Sequence, residues 1–301
     1  GCAADYDNDG DLDLYLTNYG PSRLFANNGD GTFTNVADEA GVGRWEFGWG
    51  TVFTDFDNDG DSDLYFVGNF RVMEVFDNPG RFFVNNGDGT FIESAEKYGF
   101  LTQDENGNNT VAFGVASGDV NSDGHVDLFV VNEGTETAPA YPILFTDKFD
   151  ENHWLEVRLE GTVSNWAAIG ARVSVTAGGR IQIQEVASGS SSFSQNSLWL
   201  TFGLGIYPQA DLIQIRWPSG LTQTFESVAA NQILKIQEGQ PSLRRGDFNG
   251  DGQVDFKDFL MFVANYDVSE GQTGFDTIYD LDRNGRIGLG DFVIFASAFG
   301  M

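Results

Sequence analysis

The sequence predicts a mainly β protein in three parts: repeated small sheets, an antiparallel sandwich-like domain, and a short helical pair. Three observations carry this. Loops with an acid at every second position recur through residues 1–151, each running into a short apolar stretch. From Asn152 the pattern becomes clean apolar–polar alternation, and two acidic loops of different spacing then close the chain. With 301 residues, 41% hydrophobic and 14% aromatic, the chain is long enough for two or three cores and is globular by composition.

The formal net charge of -29 is concentrated at the ends: residues 1–151 carry -23, residues 152–240 carry -1, and residues 241–301 carry -5. Acids spaced regularly with glycine point to metal sites more than to a charged coat. Nucleic acid is excluded as an expected partner, since no basic patch is present to neutralise phosphates. The single cysteine, Cys2, allows no internal disulfide, and no run approaches the eighteen or more apolar residues of a membrane span. No signal peptide is present in these residues. The start at Gly1, within a strand by repeat alignment, is what a mature or truncated piece would show.

Asp55-Phe56-Asp57-Asn58-Asp59-Gly60-Asp61-Ser62-Asp63 is the best-formed loop, with five carboxylates in nine residues. Ca²⁺ takes six to eight hard oxygen ligands, and alternating acids wrap such an ion while the glycine permits a sharp turn. Without a cation the same carboxylates repel one another. The loop recurs as Asp5 to Asp13 and as Asp119 to Asp127, offset by 50 and 64 residues. Apolar runs follow at Leu12 to Leu16, Leu64 to Val67 and Leu128 to Val131, and Phe47-Gly48 and Phe113-Gly114 precede the latter two. Gly1 to Ala4 align with Thr51 to Thr54 and are expected to end a buried strand.

A second element, Arg23 to Phe33 and Arg81 to Phe91, places Asn-Gly-Asp-Gly between apolar residues and reads as a hairpin. Two hairpins per repeat make a four-stranded sheet, the blade of a β-propeller. The third repeat lacks the second hairpin, with Phe145-Thr146-Asp147-Lys148-Phe149-Asp150 in its place, so its blade is expected to be irregular. Three blades are fewer than a closed propeller uses, so a partial propeller is expected.

These units resemble FG-GAP/VCBS-type repeats, calcium-binding propeller blades found in integrin heads and many secreted bacterial proteins. The resemblance implies ligands at the first, third, fifth and ninth side chains, with the seventh residue acting through its carbonyl. These are Asp5, Asp7, Asp9 and Asp13 with Asp11; Asp55, Asp57, Asp59 and Asp63 with Asp61; and Asp119, Asn121, Asp123 and Asp127 with His125. The third set has one carboxylate fewer, so weaker calcium binding is expected there. The His125 imidazole is expected to point outward as a surface group.

In the neutral middle, Leu155, Val157 and Leu159 alternate with Glu156, Arg158 and Glu160, one face buried and the other wet. Further strands are predicted at Gly170 to Ala177, Arg180 to Val186, Leu198 to Phe202, Leu212 to Trp217 and Ile233 to Ile236, giving an antiparallel sandwich or barrel-like domain over residues 152–239. Asn152-His153-Trp154-Leu155, Ile169 to Val173, Phe202 to Gly205 and Ile215 to Gly220 are similar to the ASPIC/UnbV domain, which carries no established activity. His153, Glu151, Glu156 and Ser188 to Ser192 offer the residue types of a hydrolytic triad, but no nucleophile elbow accompanies them. The serine loop with Phe193 and Trp199 reads as an ordinary loop or as a binder of a polar ligand such as glycan.

After Gln240 to Arg245, two twelve-residue loops follow 33 residues apart. Asp247, Asn249, Asp251, Gly252, Gln253, Asp255 and Asp258 fill positions 1, 3, 5, 6, 7, 9 and 12, as do Asp280, Asp282, Asn284, Gly285, Arg286, Gly288 and Asp291. This is EF-hand spacing, with Asp for the usual Glu at position 12, and helices are predicted at Phe259 to Tyr266 and Phe292 to Phe299. The pair, over residues 246–301, resembles a type I dockerin, which implies a cohesin-type scaffold partner; a calcium-stapled cap is the alternative. Positions 10 and 11, Phe256-Lys257 and Leu289-Gly290, depart from the small hydroxyl pair of cellulosomal members. The expectation is an extracellular or cell-surface, non-enzymatic, calcium-binding adhesion or scaffold protein with about five Ca²⁺ sites. The alternative is a polysaccharide-binding or polysaccharide-degrading component, with glycan as a partner.

Overall fold

Acid–glycine loops resist strand pairing while the apolar runs beside them favour it, so the chain folds back at each loop. The computed structural model describes residues 1–68, 78–104, 106–133, 141–146, 152–239, 246–249, 253–272, 274–276, 278–282 and 284–300. The first repeat contributes β1 (Cys2–Ala4), β2 (Asp13–Leu16), β3 (Tyr19–Pro21), β4 (Arg23–Asn27) and β5 (Phe33–Asn35), followed by β6 (Trp45–Phe47). β1, β2, β4 and β5 form one antiparallel sheet in that order, and β3 pairs separately with β6. Ala4 stands opposite Asp13, so the first acidic loop is the β1–β2 turn.

The second repeat follows the same plan with β7 (Thr51–Thr54), β8 (Asp63–Phe66), β9 (Arg81–Asn85) and β10 (Phe91–Glu93), and Thr54 stands opposite Asp63. After α1 (Ala95–Tyr98), the third repeat forms β11 (Val111–Gly118), β12 (Asp127–Glu133) and β13 (Ile143–Phe145). Its sheet has three strands among the described residues; Asp147 to Asp150 lie outside them. β1 is half-exposed rather than buried, unlike its counterpart β7, which has β1 on one side and β11 on the other.

Apolar residues join neighbouring sheets. Tyr15 and Leu24 pack with Leu64, Phe66 and Phe83 between the first two. Val52, Tyr65 and Phe82 pack with Val115, Leu128 and Val130 between the second and third. Each such side chain contributes about 1.5–3 kcal/mol by leaving water, so the stack is held chiefly by these two seams.

The middle segment supplies β14 (His153–Glu160), β15 (Arg172–Ala177), β16 (Arg180–Glu185), β17 (Leu200–Gly205), β18 (Gln209–Arg216), β19 (Thr222–Ala229) and β20 (Gln232–Gln237). One sheet runs β16-β15-β18-β19, the other β17-β14-β20, and both bury their inner faces around Trp217, Phe202 and Phe225. Three expectations are corrected. β14 pairs with β20 in parallel, so the second sheet is mixed, and β19 was absent from the predicted strands. Glu156 is buried rather than wet, because its face is covered by Arg158 and Trp199 and lies close to the third repeat's Asp119.

α2 (Phe256–Ala264) and α3 (Leu289–Ala298) close the chain. Each begins three residues before the predicted start. Asp258 explains the first case: its carboxylate caps the Asp255 amide at 2.9 Å, while Asp255 accepts from the Lys257 amide at 2.7 Å. Phe248, Phe262 and Phe295 pack against one another with centroids 5.7–6.0 Å apart, joining the two loop–helix units. Among the described residues no helix is long and apolar enough to cross a membrane.

Candidate metal centre

The Asp55–Asp63 loop is shaped by its own carboxylates. Asp55 Oδ1 accepts from the Asp59 amide at 3.1 Å and Oδ2 from the Gly60 amide at 2.8 Å. Asp63 Oδ2 accepts from the Phe56 amide at 3.1 Å, and its Oδ1 accepts from the Asn85 amide at 2.8 Å, tying the loop to the next hairpin. Asn58 and Gly60 take positive φ, 53° and 93°, to make the turn. One carboxylate oxygen each from Asp55, Asp57 and Asp63 then lie within 4.8 Å of one another.

The first loop repeats this geometry. Asp5 accepts from the Asp9 and Gly10 amides, Asp13 accepts from the Tyr6 and Asn27 amides, and Asp5, Asp7 and Asp13 form the same cluster. Burial raises these acids. It pushes the Asp13 carboxyl up to about 7 and Asp5 to about 6, with neighbouring aspartate charges adding to it. Asp55 and Asp63 are pushed well above the ordinary carboxylate range for the same reasons, and Asp59 to about 6. Crowded, buried carboxylates either take up protons or share a cation, and their hard oxygens and mutual spacing fit Ca²⁺.

The seventh positions differ from a plain backbone role. Asp61 accepts from the Asn8 side chain at 2.8 Å and from Arg180 at 2.8 Å, which joins both loops and the sandwich. Asp11 lies against the hairpin glycine Gly29, where a β-carbon would stand 3.0 Å from its Oδ2.

In the third loop Asp119 repeats the first-position pattern, accepting from the Asp123 amide at 3.2 Å and the Gly124 amide at 2.8 Å. Asp127 accepts from the Val120 amide at 2.7 Å, and Asn121 Oδ1 accepts from the Asp123 amide at 3.0 Å. Loop three does not bring three acidic oxygens together as the other two do, consistent with its missing acid. His125 is buried, 7% exposed, contrary to the expected outward imidazole. The next residue toward the turn, Gly124, lies directly under the Trp154 ring, so the sandwich covers this end of the loop.

Of the twelve-residue loops, the second gathers Asp280, Asp282 and Asp291 within 4.8 Å of one another. Asp291 is fully buried and accepts from the Asp282 amide at 2.8 Å and the Gly288 amide at 2.6 Å. Asn284 and Arg286 sit on the loop, the Arg286 side chain turned away to Asp267. In the first, buried Asp258 accepts from the Phe248 and Asn249 amides at 2.8 and 3.0 Å, while Asp251 lies outside the described residues.

The triad-like residues do not converge. His153 Nδ1 lies 3.0 Å from the Asn231 side-chain nitrogen, Glu156 binds Arg158, and Ser191 and Ser190 accept from the Thr51 and Asn196 amides. Glu151 lies outside the described residues. Sequence reasoning missed Glu238, a buried carboxylate accepting from the Thr162, Val163 and Ser164 amides and the Ser164 and Ser219 hydroxyls. Desolvation raises it, yet the hydrogen bonds led by Ser219 outweigh that and hold it at about 2. Glu238 thereby ties residues 162–164 to Ser219.

Small sheets turned by acidic loops, followed by a two-sheet sandwich, define a modular repeat-blade protein. The family model for the FG-GAP-like repeat matches residues 5–66 and 70–130, and the ASPIC and UnbV model matches residues 161–243. The chain therefore carries FG-GAP-like repeats and an ASPIC/UnbV domain. No curated relative matches. Two solved structures, a C-terminal and an N-terminal interface mutant of a type II cohesin–X-dockerin complex from Acetivibrio cellulolyticus, are 18% and 16% identical. Each match covers 49% of this chain and 96% of the other, with TM-scores of 0.22 and 0.21. Likeness that slight says nothing of this chain's partner.

Proposed function

We propose that this chain is an extracellular, non-catalytic adhesion or scaffold protein that calcium holds in shape, and whose terminal loop–helix pair tethers it to a cohesin-type or cell-surface partner. The carrying observation is the threefold clustering of carboxylates at Asp5, Asp7 and Asp13, at Asp55, Asp57 and Asp63, and at Asp280, Asp282 and Asp291, in each of which the first and last acids are buried. Bound Ca²⁺ would supply the positive charge these groups lack, and loops of this kind fill at extracellular calcium levels. FG-GAP-like repeats are typical of extracellular proteins, and neither matched family is a known catalytic one. The tether is supported by the paired loops and by the exposed apolar residues Phe256, Leu260, Leu289 and Val293 on the two helices. Metal analysis of dialysed protein, then a calcium-dependent pull-down against cohesin modules and cell walls, tests both halves. Retention of no calcium defeats the first half; full calcium with no capture defeats the tether.

A polysaccharide-binding role is the second reading. It is favoured by a surface cavity of about 370 Å³ between the third blade and the sandwich, walled by Phe129, Leu198 and Trp199. Aromatic walls suit sugar rings, and a glycan titration that releases no heat removes this reading.

A further inference from the structure

The sandwich grips the second acidic loop along its outer side. The Asn152 side chain donates to the Asp57 carbonyl at 2.8 Å, the Gly205 amide to the Asn58 carbonyl at 2.8 Å, and Arg180 to the Asp59 carbonyl at 3.1 Å. Three consecutive loop carbonyls thus end on sandwich donors. Arg180 also holds the Asp61 carboxylate. Below them Gly203 presses in so closely that a β-carbon there would stand 2.1 Å from Asp55 Oδ2 and 2.4 Å from Asn58 backbone atoms.

Further contacts extend the same interface. The Ser197 amide donates to the Ser117 carbonyl at 2.8 Å, and Gly124 of the third loop faces the Trp154 ring. Among the described residues the first loop has no such cover: Asp7 and Asp9 are exposed, whereas Asp57 and Asp59 are half-buried. The loops are also linked in series, since Asn8 donates to the Gly60 carbonyl at 3.2 Å and Asn58 donates to the Gly124 carbonyl at 3.2 Å.

We propose that the second acidic loop is a metal-operated clamp, in which cation binding by Asp55, Asp57, Asp59 and Asp63 and docking of the sandwich onto the blades form one coupled equilibrium. The proposal rests on reading this loop as a calcium site. The coupling arises because the same short backbone carries the carboxylates inward and the gripped carbonyls outward. Repulsion among uncompensated carboxylates displaces that backbone, and Asn152, Gly205 and Arg180 then lose their acceptors together. Coupling of this kind is reciprocal, so docking raises the loop's cation affinity by the factor that the cation raises docking. The second loop therefore binds calcium more tightly than the first, which carries matching carboxylates without the cover.

Amide hydrogen exchange on the full chain tests the clamp. The Gly205 and Ser197 amides report docking; the Val186 amide, bonded to the Ala171 carbonyl inside the sandwich, reports the sandwich's own fold. Chelation is expected to speed exchange at Gly205 and Ser197 about tenfold or more while Val186 stays protected. Asp63→Asn in saturating calcium should reproduce this, and Asp291→Asn in the terminal module should not. If Asp63→Asn also exposes Val186, the uncharged variant Asn152→Ala decides: it is expected to weaken one calcium site about threefold in a calorimetric titration. Calcium binding that Asp63→Asn abolishes, with Gly205 and Ser197 equally protected before and after chelation, overturns the clamp and leaves the calcium reading standing. A titration showing no calcium bound at this loop overturns both.

Discussion

Replacing Gly203 by alanine puts a β-carbon where β17 meets the second acidic loop. That carbon would stand 2.1 Å from Asp55 Oδ2 and 2.4 Å from the Asn58 Cα and carbonyl carbon, well inside ordinary contact. A carboxylate can swing aside, but the Asn58 backbone is fixed by the turn and by the Gly205 amide on its carbonyl. Overpacking of this kind costs about 1–3 kcal/mol, and relieving glycine's own entropy in a strand returns about 0.5–1 kcal/mol. The net loss is at most about 2.5 kcal/mol, which lowers Tm by up to roughly 5–10 °C if blades and sandwich melt as one unit of 150–250 residues. Differential scanning calorimetry in saturating calcium, beside a calcium titration, reads both the melt and the site. Unchanged Tm and unchanged calcium affinity would refute the close seating of the sandwich on the loop.

The carboxyls pushed up to about 6 and 7 at Asp5, Asp59 and Asp13 hold protons in the folded metal-free chain where the unfolded chain has lost them. Metal-stripped protein should therefore lose stability as pH rises from about 4 to 7, while calcium affinity rises over the same window; melts and titrations at pH 5 and 7.5 check both signs. Asn85→Ala removes buried donors to the Tyr6 carbonyl at 2.8 Å and the Ser62 carbonyl at 3.0 Å, and should cost about 1–3 kcal/mol in a denaturant melt. Asp291→Ala deletes one corner of the terminal cluster and the acceptor for the Asp282 and Gly288 amides. It should remove one bound calcium by metal analysis and lower the helical signal in circular dichroism, with the sandwich's melt unchanged.

The acidic loops were legible because their chemistry is local. An acid at every second position dictates a turn that faces its carboxylates together, and the sheets confirm the turn at Ala4–Asp13 and Thr54–Asp63. What escaped the sequence is set by distant neighbours. The parallel partner of β14 lies 77 residues on at β20, and alternation within a strand does not name the strand beside it. Glu156 and His125 were placed in water because their own segments are polar there; packing of the sandwich on the third blade buries both. The early start of α2 was visible in principle, since Asp255 and Asp258 carry capping-box spacing just ahead of the apolar residues. Both acids also stand at positions 9 and 12 of the twelve-residue loop, where a metal-ligand reading competes with a capping one.

The most direct test of the whole account compares the thermal melt of the calcium-loaded chain with that of the same chain stripped by chelation at pH 7.5. Clustered carboxylates at three loops predict a large, calcium-reversible fall in Tm, on the order of 10 °C or more, as each cation's binding free energy is withdrawn from the folded state. Coincident melts with and without calcium would contradict the claim that the metal holds this fold together.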